Sequence, residues 1–163
     1  MAVTSDTILK RAAELKVEFV SLQYTDIVGM VKNVTIPISE LPACLDHGAW
    51  FDGSSLEGFA RVAESDMYLA PDLDTFAVIP WDEAAGFCTA RMICDVRTPD
   101  GKPASSDPRY ALRRALDAAR RMGMTFFVGP EVEFFLFRSG SDGRPALIPH
   151  DAAGYFDATT DAA

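Results

Sequence analysis

The segment Thr125 to Phe137, TFFVGPEVEFFLF, constrains this chain more than any other. It is the most β-rich stretch, and a strand apolar on both faces needs partner strands and covering layers. The stretch after it, Arg138 to Ala163, is polar, carries several glycines and ends without a packing element. A single helix precedes it. Asp107-Pro108 is a helix start, with Asp as N-cap and Pro at the first helical position. Leu112, Ala115, Leu116 and Ala119 then form one apolar stripe, and Gly123 terminates the run. One helix and one long strand cannot bury themselves. The sequence therefore predicts an α+β chain whose second domain has begun and is incomplete.

The first hundred residues read as a domain of their own. Thr4 and Ser5 precede Ile8, Leu9, Ala12, Ala13 and Leu15, the spacing of a short capped helix. Val17 to Tyr24 and Met30 to Ile38 read as strands, with Pro37 limiting the second. Asp26 to Gly29 turns between them, which makes a hairpin. Ser39 with Glu40 caps a short helix through Cys44 and Leu45. Residues 48–66, GAWFDGSSLEGFARVAESD, lack a period and read as a long shaped loop. Met67 to Leu69, Thr75 to Pro80 and Phe87 to Val96 read as further strands. Thr98 to Asp107, TPDGKPASSD, has the composition of a linker. The division is 1–100 and 106–163.

Charge and cysteine usage exclude several classes. The chain holds 24 Asp and Glu against 15 Lys and Arg, a net charge of −9. Such a chain repels phosphate backbones, which argues against nucleic acid as a partner. The basic run at 109–122 sets Arg109, Arg113, Arg114, Arg120 and Arg121 against Asp117, and reads as a solvated face with Asp117 bridging Arg113 and Arg121. No stretch reaches the roughly 20 apolar residues of a membrane span. Three cysteines without a CxxC suggest neither a disulfide framework nor a zinc site. With no apolar leader after Met1, the expected home is the cytoplasm.

Acidic residues carry the candidate chemistry. Side chains at i and i+2 of a strand point the same way, so Glu131 and Glu133 share a face. Their carboxylates would lie about 6–7 Å apart and repel by about 2.5 kcal/mol at an effective dielectric near 20. A site that holds both needs arginine or lysine partners, shared protons or divalent cations, and oxygen-only ligands favour Mg²⁺ or Mn²⁺. The bland alternative is an exposed strand edge with surface salt bridges. Asp52, in FDGSS, is set to bind a cation or accept a proton, or to cap its own backbone in an Asx-turn. Glu64 and Asp66 stand at a loop-to-strand junction. His47 and His150 lack ligand-like spacing and read as surface or structural residues.

Taken together, FDGSSLEGF, AESDMYLAPDLDTF, CDV followed by GKPASSDPR, and GPEVEFFLF occur in the order and spacing of glutamine synthetases, and resemble the bacterial type I group. Asp151 to Asp157 fits as well. The resemblance runs from the first hairpin to the end of the chain. It implies an N-terminal β-grasp domain over 1–100 and the start of an α+β catalytic domain over 106–163. It also implies an ATP-dependent ligase that joins ammonia to glutamate through γ-glutamyl phosphate with Mg²⁺ or Mn²⁺. Its partners would be glutamate, ammonia, ATP and neighbouring subunits of a ring homo-oligomer. On that resemblance Glu131 and Glu133 match metal ligands. Asp52 matches the catalytic aspartate that binds ammonium and accepts its proton, and Asp66 matches a second aspartate at the ammonium site.

Two departures accompany the match. The ATP-binding residues, the remaining ligands and the catalytic arginines are expected beyond Ala163, so the 163-residue chain alone is expected to be inactive. Trp50 stands where the family carries a small hydrophobic residue. Two alternatives remain beside the main reading: a ligase of this type acting on a polyamine or another amine, and a short non-catalytic protein that binds synthetase subunits. The second needs a self-sufficient core, which an unpaired Thr125 to Phe137 strand argues against.

Overall fold

The structure, a computed structural model, describes residues 3–53, 66–82 and 86–149. Its backbone divides into two units, Met1–Thr125 and Phe126–Ala163.

The first unit opens with helix α1 (Ser5–Glu14), capped by Thr4, whose hydroxyl accepts from the Thr7 N–H at 3.3 Å. Strands β1 (Phe19–Thr25) and β2 (Val31–Pro37) form the expected antiparallel hairpin. Asp26 sets its turn, accepting from the N–H groups of Val28 at 3.1 Å and Met30 at 2.8 Å. A 3₁₀ turn, Ile38–Glu40, leads into helix α2 (Leu41–His47). Neither Ser39 nor Glu40 caps it; the 3₁₀ turn runs directly into the helix instead. Strands β3 (Ala49–Asp52), β4 (Asp66–Pro71), β5 (Ala77–Val78) and β6 (Thr89–Arg97) complete the sheet.

The strand order is β2-β1-β6-β4-β3, with β5 also on β6. The central pair β1–β6 is parallel and the other pairings are antiparallel. The sheet is mixed, and β-grasp-like as expected. Alternation fixes the core: Ala90, Met92, Cys94 and Val96 of β6 are buried, as are Val20, Leu22 and Tyr24 of β1. Ile8 and Ala12 of α1 and Leu41 and Cys44 of α2 join the same cluster. At about 25 cal/mol per Å² of apolar area, such side chains supply most of the unit's stabilisation.

The structure corrects several expectations. Residues 48–66 are not loop throughout, because β3 pairs with β4 there. The Thr75 to Pro80 strand shrinks to β5, since Leu73–Thr75 is a 3₁₀ turn. The 98–107 segment is packed rather than loose: Ala104 and Asp107 are both 1% exposed, and Ala104 N–H donates to Val96 O at 2.9 Å. Helix α3 (Pro108–Arg121) starts at Asp107-Pro108 as expected and ends before Gly123 at φ 73°. Its apolar stripe is not buried, however; Leu112 is 56% exposed. Asp117 pairs with Arg120 at 2.9 Å, while Arg113 turns to the sheet.

The second unit departs most from expectation. Residues 125–136 form no strand; among the described residues of this unit only β7 (Phe137–Ser139) pairs, with β8 (Pro145–Pro149), as a small hairpin. Phe127, Val132 and Phe135 are 85%, 81% and 87% exposed. A strand exists only where a ladder partner supplies its hydrogen bonds, and among the described residues nothing pairs with this segment. Glu131 and Glu133 therefore do not share a strand face here. Among the described residues no helix is long and apolar enough to cross a membrane.

Candidate functional site

Two of the four candidate acids are brought together by sheet register. In the antiparallel pair β3–β4, Asp52 stands directly opposite Asp66, followed by Phe51 opposite Met67 and Trp50 opposite Tyr68. Alternation assigns the faces. Phe51 turns inward, its ring 5.1 Å from that of Tyr24, and Met67 is 5% exposed. Asp52, Asp66, Trp50 and Tyr68 occupy the other face, where the rings of Trp50 and Tyr68 lie 5.3 Å apart at 46°. Both aspartates are exposed. Two carboxylates directly opposite each other on a ladder concentrate negative potential at this end of the hairpin.

The chain enters this hairpin through one constrained residue. Gly48 ends α2 at φ 75°, its N–H donating to Cys44 O at 2.8 Å. A Cβ there would lie 2.6 Å from Tyr68 Cδ2 and 2.7 Å from Leu69 O. Only glycine combines that φ with so close an approach. The serines of FDGSS, Glu64, His150 and Asp151 to Asp157 lie outside the described residues. His47 is exposed and pairs with Asp46 at 3.1 Å, a surface role.

Glu131 and Glu133 belong to the second unit and are exposed. Their oxygen donors suit a hard divalent cation, but two carboxylates cannot complete its six or more ligands. Among the described residues no group of three metal-ligating side chains is assembled.

A further polar cluster was not legible in the sequence. Arg109 Nε donates to Asp95 Oδ1 at 2.7 Å, and its Nη2 donates to Asp72 Oδ2. Arg113 reaches the same two aspartates at 3.1 and 3.0 Å. Beside it, buried Asp107 caps α3 through Arg109 N–H at 2.9 Å and accepts Val96 N–H at 3.0 Å. Burial pushes the Asp107 carboxyl up, against the pull of the backbone N–H groups it accepts. For Asp72 and Asp95 the only sequence signal was that they fall inside the family motifs, and their arginine partners lie 14 to 41 residues away.

Comparison with known proteins fits this geometry. Residues 16–99 match the family model described as the glutamine synthetase β-grasp domain, and residues 105–161 match the glutamine synthetase catalytic domain. Among curated relatives, glutamine synthetases of Staphylococcus epidermidis and Staphylococcus aureus are 51% identical over 155 residues, covering 94% of this chain. The chain spans 34% of the length of those relatives. Among solved structures, the Plasmodium falciparum glutamine synthetase matches with a TM-score of 0.66 at 21% identity, over 74% of this chain and 23% of that one. GmaS in its ADP complex matches with a TM-score of 0.63 at 24% identity, over 70% and 25%. At such identities these structures speak for the fold alone. With a mixed β-grasp sheet, an acidic pair at the end of its β3–β4 hairpin, and two consecutive family domains matched along its length, this chain belongs to the glutamine synthetase family.

Proposed function

We propose that the chain forms the N-terminal part of an ATP-dependent glutamate–ammonia ligase, with residues 1–100 as its β-grasp domain and 106–163 as the opening of its catalytic domain. In that reaction ATP phosphorylates the γ-carboxylate of glutamate. Ammonia then attacks the acyl phosphate, the C–N bond forms, and phosphate leaves. The observation that carries the reading is the facing pair Asp52 and Asp66, in a chain 51% identical to named glutamine synthetases.

The roles follow from charge. Asp52 attracts ammonium, holds it by charge-assisted hydrogen bonds and accepts the proton whose loss leaves the nucleophile. Asp66, opposite it, adds to the negative potential that concentrates the cation. Glu131 and Glu133 would hold Mg²⁺ or Mn²⁺ together with ligands from the rest of the enzyme. Such an ion, when bound, offsets charge on the transferring phosphoryl group. The partners are glutamate, ammonia, ATP and neighbouring subunits of a ring, in the cytoplasm.

The test is a hybrid in which this chain replaces the matching third of the Staphylococcus aureus enzyme. Glutamine formation and ADP release are followed with ammonium, and with alkylamines and polyamines in competition. Asp52→Ala should lower kcat/KM for ammonium by about 10²-fold or more, and the isolated chain should be inactive. An active hybrid indifferent to Asp52→Ala would refute the reading. Preference for a polyamine would redirect it to another amine.

A further inference from the structure

We infer that Trp50 is a positioning residue for Asp52, acting through a tilted ring contact with Tyr68. The inference rests on the reading that Asp52 handles the amine. Strand β3 has four residues and lies at the end of the sheet order, paired among the described residues with β4 alone. A strand that short has little order of its own, yet Asp52 is its last residue. A displacement of about 1 Å at a catalytic group can cost on the order of 10²-fold in rate. Something must therefore fix the end of β3.

Two ring contacts grip the strand from opposite faces. Inward, Phe51 packs on Tyr24. Outward, Trp50 packs on Tyr68, on the same face as Asp52 and Asp66 and one like-facing rung away. Tyr68 is itself wedged. Its ring fills the space where a Gly48 side chain would lie, and its hydroxyl would be 3.7 Å from a Cβ on Gly101. Trp50 thus leans on a ring that is pressed against Gly48 at the entry to β3 and lies near Gly101. Trp50 is 57% exposed, so most of its surface is not removed from water and core burial does not account for it. The ring's work is lateral. It keeps the β3–β4 ribbon from twisting, and with it the spacing of Asp52 and Asp66.

The test compares Trp50→Ala, Trp50→Phe and Asp52→Asn in the hybrid enzyme. Trp50→Ala should lower kcat/KM for ammonium about tenfold, a loss near 1.4 kcal/mol of transition-state stabilisation. It should leave the KM values for ATP and glutamate within about twofold, and Trp50→Phe should restore most of the loss. A general loss across all substrates, or none, overturns the inference. If Asp52→Asn cripples ammonium use while Trp50→Ala does not, the inference alone fails. If Asp52→Asn is silent, the underlying reading fails.

Amide exchange in the 163-residue chain decides independently, including where the hybrid is inactive. Trp50→Ala should speed exchange along 50–52 and 66–68 about tenfold, and Leu22 and Val96 should be unchanged. Equal exchange in both proteins overturns the inference.

Discussion

Replacing Asp107 by alanine isolates what a single buried side chain does at the start of α3. Its two oxygens serve different elements: Oδ1 accepts Arg109 N–H at 2.9 Å and caps the helix, while Oδ2 accepts Val96 N–H at 3.0 Å in the central strand. The residue is 1% exposed and Val96 is 0% exposed, so water cannot replace the bond to Val96 without opening the structure. Loss of an N-cap costs about 1 kcal/mol. Leaving a buried N–H unsatisfied costs about 2 kcal/mol more. Removing a carboxylate that burial disfavours returns part of this, for a net loss of about 2 kcal/mol. Urea unfolding followed by Trp50 and Trp81 fluorescence measures it. With m of about 2 kcal/mol/M, the midpoint should fall by about 1 M. Asp107→Asn keeps one acceptor, which serves the buried Val96 N–H better than the helix end, and should cost about half as much. Midpoints of the Ala variant and the parent within about 0.2 M of each other would refute this reasoning, as would equal Ala and Asn variants.

Three further outcomes rest on particular geometries. Because burial raises the Asp107 carboxyl, the folded chain holds that proton more tightly than the unfolded one. The resulting stabilisation is complete below the ordinary aspartate value of about 3.9 and is lost as pH rises through the folded value. The stability of the parent relative to Asp107→Asn should therefore fall as pH rises above about 4, read as urea midpoints; a flat difference would contradict it. Gly48→Ala should destabilise by about 3 kcal/mol, because Leu69 O, a backbone atom, cannot retreat from the new Cβ and φ is 75°. An unchanged melting temperature would show that the turn relaxes instead. Residues 126–136, exposed and without a ladder, should exchange their amides near the intrinsic rate. Strong, uniform protection there would mean that a partner strand is present in solution.

Features written locally were determined by the sequence itself. Thr4 and Asp107-Pro108 start helices because capping involves residues two or three apart. Asp26 makes its turn from bonds two and four residues away, and the alternation of β1 and β6 is a periodicity any window displays. The family motifs, too, were legible, and with them the names of all four candidate acids. Tertiary structure decided everything that depends on pairing. The strand β3 was hidden in a Gly- and Ser-rich run because its ladder partner lies beyond residue 65. The apolar run 125–136 met every local criterion for a strand and formed none, since β structure is a property of two chains of hydrogen bonds and not of one segment. Arg113 had Asp117 at the right helical spacing but chose Asp72 and Asp95, which two arginines could share at a partly desolvated surface. The register that sets Asp52 opposite Asp66 belongs to the same class. Its physical reason is that a strand's side chains repeat every two residues, so many registers satisfy the pattern. The packing of Phe51 against Tyr24, with Gly48 pressed to the Tyr68 ring, favours the one that sets the two aspartates opposite each other.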